Sequence, residues 1–184
     1  MKQHHVFSFL QRMGKSFMLP IAVLPVAGLF LGVGTSLTNE TTIAAFHLES
    51  VLGQGTFLYS VLILLKQVGK VLFDNLPLIF AVSIALGMSK RRKEVAALAA
   101  IIAFFVMHAT INTLLCLDGS IVNGVVSNYI LDRSITSVCG MLSLEMGVFG
   151  GIVVGLGVSY LHNRFYQIQL PNVISFYEGE LWHA

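Results

Sequence analysis

The sequence predicts an all-α, polytopic membrane helical bundle. It has about four transmembrane helices, an N-terminal amphipathic helix and a long interfacial or tilted helix before the second span. Three observations carry this. Of 184 residues, 55% are hydrophobic and only 11% are charged, and the mean hydropathy is +0.81, well above that of a soluble domain. Several apolar stretches approach or exceed the roughly 18 residues that a helix needs to cross a bilayer. Basic clusters alternate with these stretches, as the cytoplasmic bias of Lys and Arg requires of a multi-pass chain.

The first element is residues 1–15. Phe7, Leu10, Met13 and Phe17 recur at helical spacing while Gln3, Gln11, Arg12 and Lys15 fall elsewhere, the pattern of an amphipathic helix on the cytoplasmic interface. A frayed basic terminus is the plain alternative. Span one follows from Ser16 to Leu37 without a charge. It is too long for a signal-peptide core and lacks a small-residue cleavage site.

The segment from Val51 to Asp74 is apolar at first and then carries Lys66, Lys70 and Asp74 at intervals of four, on one helical stripe where Lys70 and Asp74 can pair. A separate crossing there would put the Lys90-Arg91-Arg92-Lys93 cluster on the wrong side, so it reads as a helix lying along, or tilted through, the outer interface. Its charged stripe is read as a solvated face. Within hydrocarbon it would need a protein or water partner.

Span two is Val71 to Met88, span three Val95 to Leu117, and span four Met146 to Leu161, short unless extended to Leu142 or Asn163. With the N-terminus inside, eight of the eleven basic residues lie on the cytoplasmic side: Lys2, Arg12, Lys15, the four of the basic loop and Arg164. Glu40, Glu49, Asp118 and Asp132 fall outside, and Arg133 alone is misplaced.

Pro20, Pro25 and Pro77 each remove a backbone donor inside a span, which neighbouring groups must offset. Gly147, Gly151 and Gly155, followed by Ser159, strip one face of span four of bulk, and Gly28 with Gly32 do so in span one. Close backbone approach drives helix association in lipid, so these five glycines are helix-packing candidates. His108 and Asn112, beside Thr110 and Thr113, are the intramembrane polar candidates for function, or for hydrogen bonding between helices.

No catalytic residue is assigned. There is no P-loop, nucleophile elbow or Ser-His-Asp order, and the histidines, cysteines and carboxylates show no metal-ligand spacing, so neither a metal nor a cofactor is expected. The basic residues read as loop anchors, with no nucleic-acid surface. Cys116 and Cys139, both on the outer side, are expected as free thiols, with a disulfide the alternative.

The stretches "LQRMGKSFMLPIAVLPVAGLFLGVG" from Leu10, "FDNLPLIFAVSIALG" from Phe73, "GVFGGIVVG" from Gly147 and "LHNRFYQIQLP" from Leu161 run in order along the chain. Together they resemble the IIC component of bacterial phosphotransferase-system sugar permeases, in the glucose, maltose and glucoside branch. "EVAALAAIIAF" from Glu94 resembles the third span of that family. The resemblance implies a homodimeric permease of the bacterial inner membrane, which moves a sugar inward while a IIB domain phosphorylates it. The phosphoryl group would come from phosphoenolpyruvate through IIA.

The resemblance also implies that residues 1–184 form the N-terminal dimerisation or scaffold portion. The sugar-binding half, with a histidine and a Thr-Glu-Pro glutamate, has no counterpart here, and neither IIB nor IIA is present. Substrate-binding positions are therefore unassigned. "LPNVISFYEG" from Leu170 reads as a linker toward a fifth span, and "ELWHA" departs from the family pattern, so a truncated chain that is not competent alone is expected. Two other readings stand beside this one: a small oligomerising protein that is a structural or regulatory partner of a permease, and an oligomeric channel lined by His108 and Asn112.

Overall fold

The computed structural model describes residues 2–127 and 134–166. Arg133 and the stretch from Leu170 lie outside the described residues.

Helix α1, Lys2–Ser16, passes at Phe17 into α2, Met18–Leu37. Phe17 N–H is shared between Met13 O and Gly14 O, each at 3.2 Å, and regular bonding resumes with Ile21 N–H on Phe17 O at 3.0 Å. The junction explains how Pro20 is accommodated. It falls in the first turn of α2, where backbone N–H groups have no intrahelical partner to lose.

Two short helices, α3 (Glu40–Ala45) and α4 (Glu49–Leu52), cap the next long one. Asn39 starts α3 by accepting from Thr41 N–H at 3.0 Å. Ile43 and Leu52 bury against Leu62 of α5, Phe57–Asp74, and hold the start of that helix. Asn75 then separates α5 from α6, Leu76–Met88, at a bend of 55°.

A turn through Arg92, which has a left-handed φ of 47°, leads into α7, Lys93–Leu117. Two small antiparallel hairpins follow, β1 (Ile121–Val122) with β2 (Val125–Val126) and β3 (Ile135–Val138) with β4 (Met141–Leu144). Helix α8, Gly147–Phe165, completes the described bundle. Neither hairpin is part of the sequence expectation, yet the architecture remains an all-α membrane bundle.

Helices α2 and α7 are long and apolar enough to cross a membrane on their own, α2 together with the last turns of α1, and the bent α5–α6 pair makes a third candidate. The segment Val51 to Asp74 thus holds the end of α4, a short turn and α5, which runs antiparallel along α2. A Cβ on Gly34 would stand 2.6 to 2.8 Å from Lys66, and one on Gly69 would stand 2.5 Å from Leu31 N and 2.8 Å from Ala27 O. One glycine from each helix thus permits the two backbones to touch.

The other half of the bundle is built on α6. Helix α8 runs parallel to it and α7 antiparallel to both, as the clusters Ala81–Phe104–Val154 and Ala85–Ala96–Ala100 require. Helix α1 packs on the far end of α6 through Ser16, seated against Gly87, and the Phe17 ring that follows reaches back along α6 to Phe80, with centroids 5.6 Å apart.

A hairpin seated at the helix break

A polar interior of the bundle is built where α6 begins. Pro77, in the first turn of α6, cannot donate a backbone hydrogen bond, and α5 ends just before it. Asn75 fills the gap: its backbone N–H and its side-chain amide both bond to Val71 O, at 3.2 and 2.8 Å, and its own carbonyl starts α6 by accepting from Ile79 N–H at 3.1 Å. The bend therefore leaves few backbone groups unpaired, which is the condition for interrupting a helix within a membrane.

The β3–β4 hairpin points toward this bend. Its open end, at Ile135 and Leu144, packs with Leu115 near the end of α7, while Val138 and Cys139 reach the cluster of Ala81, Phe104 and Val154, near the middle of α7. Cys139 and Gly140 turn the chain with φ of 50° and 85°, the two left-handed positions of a tight hairpin turn. Non-helical backbone at that depth requires polar partners within the protein.

The polar candidates of α7 supply them. His108 Nδ1 and Ser143 Oγ share a hydrogen bond of 2.7 Å, and both residues are buried. The edge of the Phe104 ring packs on His108, with centroids 4.6 Å apart. Asn112, one turn further along, donates from Nδ2 to Leu142 O at 2.7 Å. His108 and Asn112 thus fix two successive residues of β4. Thr110 and Thr113 bond back to Val106 O and Ala109 O of their own helix.

At the tip, the Cys139 thiol approaches Asn75 Oδ1 at 3.5 Å, so the hairpin meets the residue that makes the bend. Between bend and hairpin lies a cavity of about 380 Å³, with Asp74 and Glu145 at its polar edge beside Thr136 and Ser137. Asp74, at the end of the Lys66 and Lys70 stripe, therefore faces this cavity. The arrangement offers hydrogen-bonding groups within the bundle, and the Ser143 hydroxyl that meets the His108 imidazole is fully buried. Among the described residues no group of three His, Cys, Asp or Glu side chains could hold a metal ion. Cys116 and Cys139 are free thiols, Cys116 exposed and Cys139 half-buried.

The glycine candidates separate into two groups. Gly151 lies against Pro77 O, and a Cβ on Gly155 would stand 2.7 Å from Ala81 O and 2.8 Å from Ile84 Cβ, so these two seat α8 on α6. Gly147 has a φ of 53° at the start of α8, and a Cβ there would meet nothing within 4 Å. Gly28 has Phe73 Cζ at 4.0 Å, and Gly32 has open space.

Several residues that shape the site carry no expectation from the sequence alone. Asn75 had a visible signal, because it lies two residues before Pro77 within an apolar run. Ser143 carries none, since its contact with His108 depends on a hairpin that brings together residues 35 apart in the chain. At the basic end, Asn163 donates to Met88 O at 3.0 Å and accepts from Lys90 N–H at 2.9 Å, while His162 Nε2 lies 2.8 Å from Arg91 O. These bonds fasten the basic loop to the last turns of α8.

Comparison with known proteins gives this architecture its context. The family model described as phosphotransferase system, EIIC matches residues 14–181. The chain is 38% identical over 175 residues to the glucose-specific EIICBA component of the PTS system of Staphylococcus saprophyticus subsp. saprophyticus. The match covers 95% of this chain and 24% of that relative. The chain therefore spans about a quarter of the length of the curated relative it matches.

Proposed function

The chain belongs to the phosphotransferase system EIIC family, and from that premise we propose that it is the scaffold portion of a sugar permease driven by phosphoenolpyruvate. The observation that carries this reading is a family match running from the last residues of α1 through α8, and not over a single motif. The relative's name gives glucose specificity and fused B and A components. For this chain a sugar of the glucose, maltose or glucoside type, and IIB and IIA as partners, follow as parts of the proposal.

The bundle is placed in a bacterial inner membrane with the N-terminus inside. Support comes from the basic residues: Arg12, the loop from Lys90 to Lys93, and Arg164 next to Asn163 gather at one end of the helices. The charge bias puts that end in the cytoplasm. Homodimerisation would use the outer face of α2, where a Cβ at Gly32 meets nothing within its own chain. His108 and Asn112 act in this reading by positioning the hairpin, and no direct contact with sugar is assigned to them.

The test is sugar uptake. Purified chain in liposomes, given glucose, phosphoenolpyruvate and the soluble phosphotransferase proteins, is expected to accumulate no sugar phosphate. Coexpression with the remaining segments of a glucose-specific permease, in cells lacking their own, is expected to restore uptake. Uptake by the purified chain alone overturns the scaffold assignment, and no recovery on coexpression overturns the permease assignment. The regulatory-partner alternative predicts instead that the chain alters the activity of an intact permease without being needed for it.

A further inference from the structure

A second concave site lies at the basic end of the bundle, away from the hairpin. Three elements build it: one face of α1, the loop after α6, and one face of α8 on which Leu156, Ser159, Tyr160 and Asn163 recur at helical spacing. The cavity measures about 580 Å³. Its apolar wall comes from Phe9, Leu156 and Tyr160, and among the described residues that line it the charged groups are Arg12 and Lys90, with no acidic side chain.

The backbone that carries the two basic residues is held in place by the fold. Ser16 donates to Arg12 O at 2.8 Å and seats against Gly87, which fixes the end of α1 on α6. Asn163 fixes Lys90 from the other side, through the Lys90 backbone N–H at 2.9 Å and Met88 O at 3.0 Å. Phe9 and Tyr160 are 45% and 67% exposed, so the apolar wall is open at the surface of the bundle beside Arg12 and Lys90.

An exposed apolar wall with two cations beside it suits one chemical class of ligand. We propose that this cavity binds an anionic glycerophospholipid, its phosphate between Arg12 and Lys90 and an acyl chain against Phe9, Leu156 and Tyr160. A neutral zwitterionic lipid offers the same chain but brings a cation of its own beside these two. A soluble phosphate offers the charge without using the apolar wall.

The experiment is native mass spectrometry of the full chain in detergent, titrated separately with phosphatidylglycerol, phosphatidylcholine and inorganic phosphate. Phosphatidylglycerol is expected to be retained well above phosphatidylcholine and to resist excess phosphate. Basic residues near an anionic membrane surface contribute about 1 kcal/mol each, so R12Q with K90Q should lower phosphatidylglycerol retention roughly tenfold or more. The control pair R91Q with R164Q, with the same charge change outside the cavity, is expected to leave it within about twofold.

Equal loss in both pairs would show diffuse attraction and overturn the site. Equal retention of the two lipids would overturn the charge selection, and displacement by inorganic phosphate would mark a soluble anion as the ligand instead. Photocrosslinking of wild-type chain with a photoactivatable phosphatidylglycerol supplies a readout independent of the variants' folding. Adducts are expected on the Phe9 and Tyr160 peptides, and their confinement to other helices also overturns the proposal.

Discussion

His108 Nδ1 lies 2.7 Å from Ser143 Oγ, joining the middle of α7 to the inner strand of a hairpin that reaches the start of α6. Neither group has access to solvent, so removing one leaves the other buried without that partner. Hydrogen bonds measured between membrane helices average about 0.6 kcal/mol and reach about 1.7, less than the 1–3 kcal/mol of a stranded buried group in water-soluble proteins. His108→Leu and Ser143→Ala are each expected to lower stability in detergent by about 1–2 kcal/mol. A double-mutant cycle should give a coupling of about 1 kcal/mol. Additive losses would show that the bond contributes nothing as a pair.

The bend at Asn75 rests on two separable causes, the missing donor of Pro77 and the double bond from Asn75 to Val71 O. In Pro77→Ala with Asn75→Leu both are removed, and α5 and α6 are expected to approach a single straight helix. With a rise of about 1.5 Å per residue, straightening the 55° bend lengthens the distance between labels at Leu58 and Leu86 by about 4 Å. Pulsed electron spin resonance on a chain relieved of its native cysteines measures this. An unchanged distance would mean that packing on α2 and α8 sets the angle.

Packing of α8 on α6 depends on the absence of side chains at two positions. Gly155→Ala puts a methyl 2.7 Å from Ala81 O, a backbone atom that yields only if a helix moves. Overpacking of this kind costs about 1–3 kcal/mol. Gly151→Val, against Pro77 O, is expected to prevent a stable fold. Gly157→Ala on the same helix meets nothing within 4 Å and should leave the thermal midpoint unchanged. A similar loss at Gly155 and Gly157 would assign the effect to helix backbone flexibility.

The parts of this fold that were legible in the sequence are those written in composition along a single helix. Apolar length gave α2 and α7, and the spacing of Gly151 and Gly155 gave a face that packs on a neighbour. What was not legible depends on pairs distant in sequence. Gly34 and Gly69 are unremarkable alone, and only the antiparallel docking of α5 on α2 brings each against a backbone. Charge in Lys66, Lys70 and Asp74 suggests an interfacial or tilted helix, and the contacts of Gly34 and Gly69 add the neighbour that it packs along, α2.

Hairpins divide in the same way. Asn123-Gly124, both with positive φ, is a strong two-residue turn signal present in the sequence as "VNGV", and the β1–β2 hairpin could have been read from it. The turn of the second hairpin is Cys139-Gly140, which lacks that signal. Its placement beside Asn75 depends on His108 and Asn112, recognisable as intramembrane polar residues but not as anchors for a strand. Polarity within a span identified where partners were needed, and only the three-dimensional structure named them.

The two thiols provide a test of both the hairpin and the orientation. Cys116 is exposed near the end of α7 remote from the basic loop, and Cys139 is half-buried at the hairpin tip beside Asn75. In intact cells stripped to the inner membrane, a membrane-impermeant maleimide added outside is expected to modify Cys116 rapidly and Cys139 slowly. After denaturation both should react without prior reduction, since neither is in a disulfide. His108→Leu, by releasing β4, should raise the rate at Cys139 while leaving Cys116 unchanged. Rapid labelling of Cys116 only in inside-out vesicles would reverse the proposed orientation. Equal rates at the two thiols in the unmodified chain would remove the hairpin from the bundle interior.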